Sequence, residues 1–186
     1  SVFKRFEGLQ ISQQWYVSMA VSLAVFYTLK HLKIPEISIK WPNDIMSRSK
    51  KCCGILIENT VKGTLLDTAI IGIGINVNEK QFKDLPLASS LRLATGNSFD
   101  ISLILEVLLQ QLKIQLTRVE NQDFEAIFNS YNQDLFRLDT VAVFSTNTKV
   151  PFNAILRGVT KSGLLVLEDE ASQRDTYNLK EIKYHF

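Results

Sequence analysis

Hydrophobic and polar positions change rhythm several times along this chain. In residues 1–6, Val2, Lys4 and Phe6 alternate with Phe3 and Arg5, the two-residue period of a strand. Over residues 13–32 the period lengthens. Trp15, Met19, Leu23, Phe26 and Leu29 recur at three- and four-residue spacing, predicting a helix with one apolar face and Ser12 as its N-cap. Pro35 prevents its continuation. "EISIKW" alternates again and predicts a strand, as do residues 51–58, with "TVKG" supplying a turn. Residues 65–77 are almost wholly apolar and rich in Ile, as at the centre of a sheet, and pair with the preceding strand as an antiparallel hairpin. Residues 78–90 read as loop. Asp100 caps a helix running to about Val119, with Ile104, Leu105, Leu108, Leu112 and Leu116 facing inward, and a further helix covers residues 124–132. Beyond Thr140 the texture becomes short β-like runs, "TVAVF", "FNAILRGV", "GLLVLED" and "DTYNLKEIKY", which predict a small barrel or meander after a boundary near Arg137.

Composition narrows the class. The chain has 186 residues, 46% of them hydrophobic, enough for one domain, or one and a small module, with a sizeable core. A net charge of +2 argues against a broad nucleic-acid surface driven by charge. The longest apolar candidate, residues 17–29, is broken by Ser18, Ser22 and Thr28 and falls short of a bilayer span. No basic stretch precedes an apolar block and a cleavage site, so no signal peptide is read. The two cysteines, Cys52 and Cys53, are neighbours in a strand and point to opposite faces, which makes them poor disulfide partners. A reduced, cytoplasmic protein is expected. The chain opens in mid-strand without Met, and the expectation is that the N-terminal part of a larger protein is missing.

Three stretches carry candidate chemistry. In "KWPND", Lys40 to Asp44, Pro42 donates no backbone N–H and ends strand pairing, so side chains there can be aimed into a cleft. Asp44 could hold a hard cation such as Mg²⁺, and Asn43 could fix a neighbouring loop; equally, Trp41 packs on the core beside an Asx turn. In "RSKKCCGILIEN", Lys50 and Lys51 stand before Gly54, an arrangement suited to phosphate or carboxylate, or else a solvated basic turn. Cys52 and Cys53 read as structural filling, and neither His31 nor His185 is assigned a catalytic role. In "IGIGINVN", Gly72 and Gly74 share one strand face and clear a groove for a flat or chain-like ligand, or for another packed element, with Asn76 following them. A third glycine and a following helix are absent, so this is no dinucleotide fingerprint. Glycines, amides, one carboxylate and lysines with no activated nucleophile favour positioning and electrostatic catalysis on an anionic substrate, with a bound cation.

"KWPND", "KCCGILIE" and "GIGINVN", in that order and spacing, resemble the biotin–protein ligases, and the resemblance covers essentially the whole chain. It implies an α+β fold: a mixed, mostly antiparallel central sheet with helices on one side, like class II synthetases, in residues 1–136, then an SH3-like β-barrel in residues 137–186. It implies ATP-dependent activation of biotin as biotinyl-5′-AMP and transfer to a lysine of an acceptor such as a biotin carboxyl carrier domain, with ATP and Mg²⁺ required. By motif, Lys51 matches the lysine that contacts biotin and the acyl phosphate, stabilising charge without acting as a nucleophile. Asp44 and Asn76 match positions associated with the metal and the nucleotide phosphates. Gly54, Gly72 and Gly74 match the backbone along biotin and the adenylate; one of Ile55 and Leu56 is expected to wall the biotin pocket, and Trp41 and Asn43 to shape the site. A homodimer through a sheet edge is possible, and no membrane or nucleic-acid contact is expected of this portion.

The departures are upstream. None of the eight glycines forms the family's Gly- and Arg-rich adenylate loop, and the Ser-Thr and Gln positions that hold the ureido ring are absent, as is a helix-turn-helix. A truncated chain, an inactive fragment among the expectations, accounts for the missing loop and ureido positions. A lipoate–protein ligase or related acyltransferase, and a non-catalytic binding or dimerisation module, are the competing readings; "KWPND" with "GIGIN" argues for the biotin branch.

Overall fold

The structure, a computed structural model, describes residues 1–148 and 150–185; Lys149 and Phe186, both within the expected C-terminal segment, lie outside it. It is a mixed α/β fold with two five-stranded sheets whose strand ladders are all antiparallel. The first sheet is ordered β1 (Val2–Arg5), β5 (Leu65–Ile75), β4 (Lys50–Lys62), β3 (Asp44–Ser47), β2 (Ile37–Lys40). β4 and β5 form the expected hairpin, but β4 runs through Lys62, so the turn is confined to Gly63 and Thr64. Gly63 has φ +61°, a left-handed conformation that favours glycine.

The face of this sheet is legible in the alternation. Ile55 is buried, whereas Leu56 is 64% exposed, and in β5 Ala69 and Ile71 are buried while Ile70 is 48% exposed. The helices lie on the buried side. α1 (Gln14–His31) packs against β2, β3 and β4 below, and against α3 (Ile101–Glu120) and α4 (Phe124–Gln133) beside it. It therefore buries far more than the single face its periodicity predicts: Val17, Ala20, Val21, Leu23, Ala24, Val25 and Leu29 all have no exposed surface. Ser12 does not cap it; residues Ile11–Gln13 form a 3₁₀ turn, where the Gln10 amide donates to Gln13 Oε1 at 2.9 Å. In α3, Asp100 accepts from the Ser102 amide at 2.8 Å, as a cap should, but Leu105 faces solvent rather than the core.

Two elements escape the sequence pattern. β3 is four residues imposed by its neighbours on both sides, and α2 (Leu91–Thr95) is too short to display a period. α2 is nevertheless well ended: Ser90 Oγ accepts from the Leu93 amide at 3.1 Å, and Gly96 closes it at φ +82°. A bulge opposite Ile45 and Met46 leaves Cys52 as the extra residue of β4. Both thiols are therefore buried, in place of the opposed faces of a regular strand, and they remain unpaired.

The second sheet is ordered β10 (Ile182–His185), β6 (Val141–Thr146), β7 (Pro151–Val159), β8 (Leu165–Glu168), β9 (Arg174–Tyr177). The last β-like run thus divides into two strands on opposite edges of the sheet. Glu168 fastens its β8 end, accepting from Arg157 at 2.7 and 3.1 Å and from Arg174 at 2.8 Å. These guanidinium hydrogen bonds hold its carboxyl down at about 2. No helix among the described residues is long and apolar enough to cross a membrane.

Candidate functional site

Strand ends bring the three motifs together. β2 ends at Lys40, the chain turns through a cis Trp41–Pro42 bond, and β3 starts at Asp44, opposite Gly54 of β4. Asn43 is locked to β4 twice: its Nδ2 donates to the Ile55 carbonyl at 2.7 Å, and its carbonyl accepts from the Ile55 amide at 2.9 Å. Asp44 lies between two cations. Oδ1 is 2.6 Å from Lys51 Nζ, and Oδ2 is 3.6 Å from Lys40 Nζ. Lys40 is largely buried, and desolvation lowers its pKa against the opposing pull of Asp44. Lys51 is nearly half exposed, so its ammonium can change partners when an anion arrives.

The glycines make the floor. Gly54 faces Gly74 and Leu56 faces Gly72 across the β4–β5 ladder. A Cβ on Gly74 would meet nothing nearer than the Gly54 carbonyl at 3.9 Å, so its surface is open. At Gly54 the space is taken by Lys51: a Cβ there would lie 3.0 Å from Nζ and 3.1 Å from Cε. Of the two residues after Gly54, Leu56 shares this open face and Ile55 turns into the core.

The Asp44–Lys51 pair opens onto a pocket of about 460 Å³, walled also by Asn76, Phe82, Leu85 and Leu87. Loop 78–90 is held there by main-chain bonds, the Lys51 amide donating to Leu87 at 2.7 Å and the Ser89 amide to Lys51 at 2.8 Å. Asn76 Nδ2 donates to the Ser89 carbonyl at 3.0 Å, which commits its amide nitrogen to the loop. The apolar wall was not anticipated from sequence, although "FKDLPL" is conspicuously apolar for a segment read as loop. Trp41 stands behind the site, buried, with Nε1 donating to the Gly163 carbonyl at 2.9 Å. His185 contacts Ser145 at 2.8 Å in the second sheet, apart from these residues.

Burial raises the Cys52 thiol to about 12 and pushes Cys53 higher still, so neither is a nucleophile. Among the described residues no cluster of three His, Cys, Asp or Glu side chains forms a ready-made metal cage. Asp44 and Asn76 line the same pocket; a cation held by that carboxylate and amide would take its remaining ligands from water and substrate phosphates. Taken as a class, this is an α/β protein with a lysine–carboxylate pair and a glycine floor at strand ends, beside a largely apolar pocket.

Comparison with known proteins names that class. The model of the biotin/lipoate A/B protein ligase family matches residues 7–76, which includes "KWPND", "KCCGILIE" and "GIGIN". The bifunctional ligase/repressor BirA of Bacillus subtilis is 37% identical over 89 residues, 45% of this chain and 27% of that protein. BirA of Escherichia coli is 25% identical over 158 residues, 83% of this chain and 48% of that protein. The biotin protein ligase of Aquifex aeolicus, solved with biotin and ATP, superposes with a TM-score of 0.76 at 22% identity, over 92% of this chain and 71% of that one. The chain is thus similar in sequence to these ligases over part of its length and has the fold of the Aquifex aeolicus protein, and its matches span less than half the length of the two BirA proteins.

Proposed function

We propose that this chain carries part of the active site of a biotin–protein ligase. The observation that carries the reading is the Lys51–Asp44 pair, 2.6 Å apart, lying over Gly54 at the mouth of the pocket. In the reaction, a biotin carboxylate oxygen attacks the α-phosphorus of ATP, forming an acyl–phosphate anhydride and releasing pyrophosphate. The amine of an acceptor lysine, on a protein such as a biotin carboxyl carrier domain, then attacks the acyl carbon, and AMP leaves. Both steps gather negative charge on oxygens shared by the carboxyl and phosphate groups.

Lys51 supplies a positive charge to those oxygens, passing from Asp44 to the ligand as it binds. Gly54, Gly72 and Gly74 let the ligand lie against the sheet, and Leu56 offers an apolar wall on the same face. Asp44 and the amide oxygen of Asn76 would hold Mg²⁺, which when bound neutralises phosphate charge. Phe82, Leu85 and Leu87 exclude water from one side of the nucleotide. The second sheet we read as an SH3-like barrel, residues 137–186, against a catalytic unit of residues 1–136.

The test is calorimetric titration of the chain, with magnesium, against stable analogues of biotinyl-adenylate and lipoyl-adenylate. Biotin-selective binding is expected, and Lys51→Ala should weaken it about 100-fold, as loss of one preorganised electrostatic donor does. Preference for the lipoyl analogue would move the chain to the lipoate branch. Binding of neither would favour a non-catalytic module.

A further inference from the structure

The geometry points to a latch in which the turn between β7 and β8 positions "KWPND", with Trp41 and Gly163 as its positioning residues. The inference rests on the function proposed above only where it names the ligand. Gly163 lies between the only two tryptophans of the chain. On one side its carbonyl accepts the buried Trp41 indole N–H at 2.9 Å, across 122 positions of sequence. On the other, the Trp15 ring of α1 lies so close that a Cβ on Gly163 would fall 2.0 Å from Trp15 Cδ2. The backbone there has φ +85°, so the turn requires glycine both for conformation and for space.

Trp41 has little freedom left. The residue is 8% exposed, and the carbonyl of the next one, Pro42, accepts from Tyr131 Oη at 3.4 Å. A buried indole N–H needs an acceptor, and the one it has belongs to the turn that joins β7 to β8. Asn43, two residues on, pairs with Ile55, and Asp44 holds Lys51. The turn therefore reaches the lysine through a short covalent and hydrogen-bonded chain: Gly163, Trp41, Asn43 and Asp44, then Lys51. A displacement of the second sheet would be felt first at the strand end that carries the carboxylate. A further seam contact, Asn132 Oδ1 accepting from the Val159 amide at 2.8 Å, ties α4 to β7 without touching that strand end.

The experiment uses the full chain and two single variants. Trp41→Phe keeps an aromatic ring but removes the N–H donor together with part of the indole's volume, so the spread of any change over the molecule separates loss of the bond from loss of packing. Lys161→Ala, in the same turn, breaks an exposed contact to Glu125 at 2.8 Å and leaves Trp41 untouched. Amide hydrogen exchange is followed at Ile55, whose N–H donates to the Asn43 carbonyl, with amides of β6 and β7 as reference. The melting temperature and the affinity for the biotinyl-adenylate analogue are read in parallel. Trp41→Phe is expected to speed Ile55 exchange and weaken the analogue, each about fivefold or more, the size of one lost hydrogen bond. The β6 and β7 amides should stay unchanged, and Lys161→Ala should move neither readout. Unchanged Ile55 exchange in Trp41→Phe would overturn the latch, and so would faster exchange spread evenly over both sheets, which is loss of packing. If the unmodified chain fails to bind the analogue, the proposed function fails, and the Ile55 exchange alone decides the latch.

Discussion

Gly54 shows how a residue with no side chain governs one that has a charge. The room above its Cα is where the Lys51 ammonium lies, 3.0 Å from the position of a Cβ. Gly54→Ala must shift that ammonium, and so disturb its contact with Asp44, without the strain of a positive φ. The expected outcome is a loss of about tenfold or more in affinity for the adenylate analogue, the scale of a small misplacement, with the melting temperature nearly unchanged. A variant that binds as tightly as the parent would remove Lys51 from its assigned place. The cysteines make the opposite point: chemically able side chains silenced by burial. Their folded pKa values lie above the unfolded thiol value of 9.0, with Cys52 raised to about 12. Stability from this source is complete below about pH 9 and falls as pH rises from there toward 12, because the unfolded chain loses those protons first. At pH 8 the native thiols should resist a disulfide reagent, and both should react when urea is added; prompt labelling of the native chain would contradict the burial.

Among the elements, α1 is decisive. It is wrapped by the sheet, α3 and α4, so its interior tolerates little loss of volume. Leu23→Ala, at a position with no exposed surface, should cost about 2–5 kcal/mol, read from urea unfolding. A cost below about 1 kcal/mol would mean that the neighbouring helices collapse into the space. The long periodic segments of the sequence, residues 13–32, 65–77 and 101–119, are matched by α1, β5 and α3 because each buries a broad apolar stripe that its own residues define. β3 and α2 were not legible, since four or five residues bury too little to leave a pattern and are held by partners far along the chain. The assignment of Leu105 to the core failed for a related reason: an aliphatic residue on a helix fits either face, and the neighbours decide.

Across the molecule, both tryptophans lie at the seam between the first-sheet layer and the second sheet. Indole fluorescence therefore reports the seam, whereas far-ultraviolet circular dichroism reports the helices and strands. Seam contacts from Trp41 and Asn132 couple the parts, so the two signals should follow one urea transition with a common midpoint. Fluorescence changing at distinctly lower urea would show the second sheet detaching first, and the strand end at "KWPND" would then be held by its own hydrogen bonds alone.

The types and order of the main elements, the strand-end motifs and their likeness to the biotin–protein ligases follow from the amino-acid order, because periodicity and motif spacing are local properties. Which lysine meets the carboxylate, which of Ile55 and Leu56 looks outward, how loop 78–90 comes to wall a pocket, and what accepts the Trp41 indole N–H are matters of packing. Each joins residues on separate segments, and such contacts are set by strand register and by the volume that neighbouring side chains leave free, which no single segment contains.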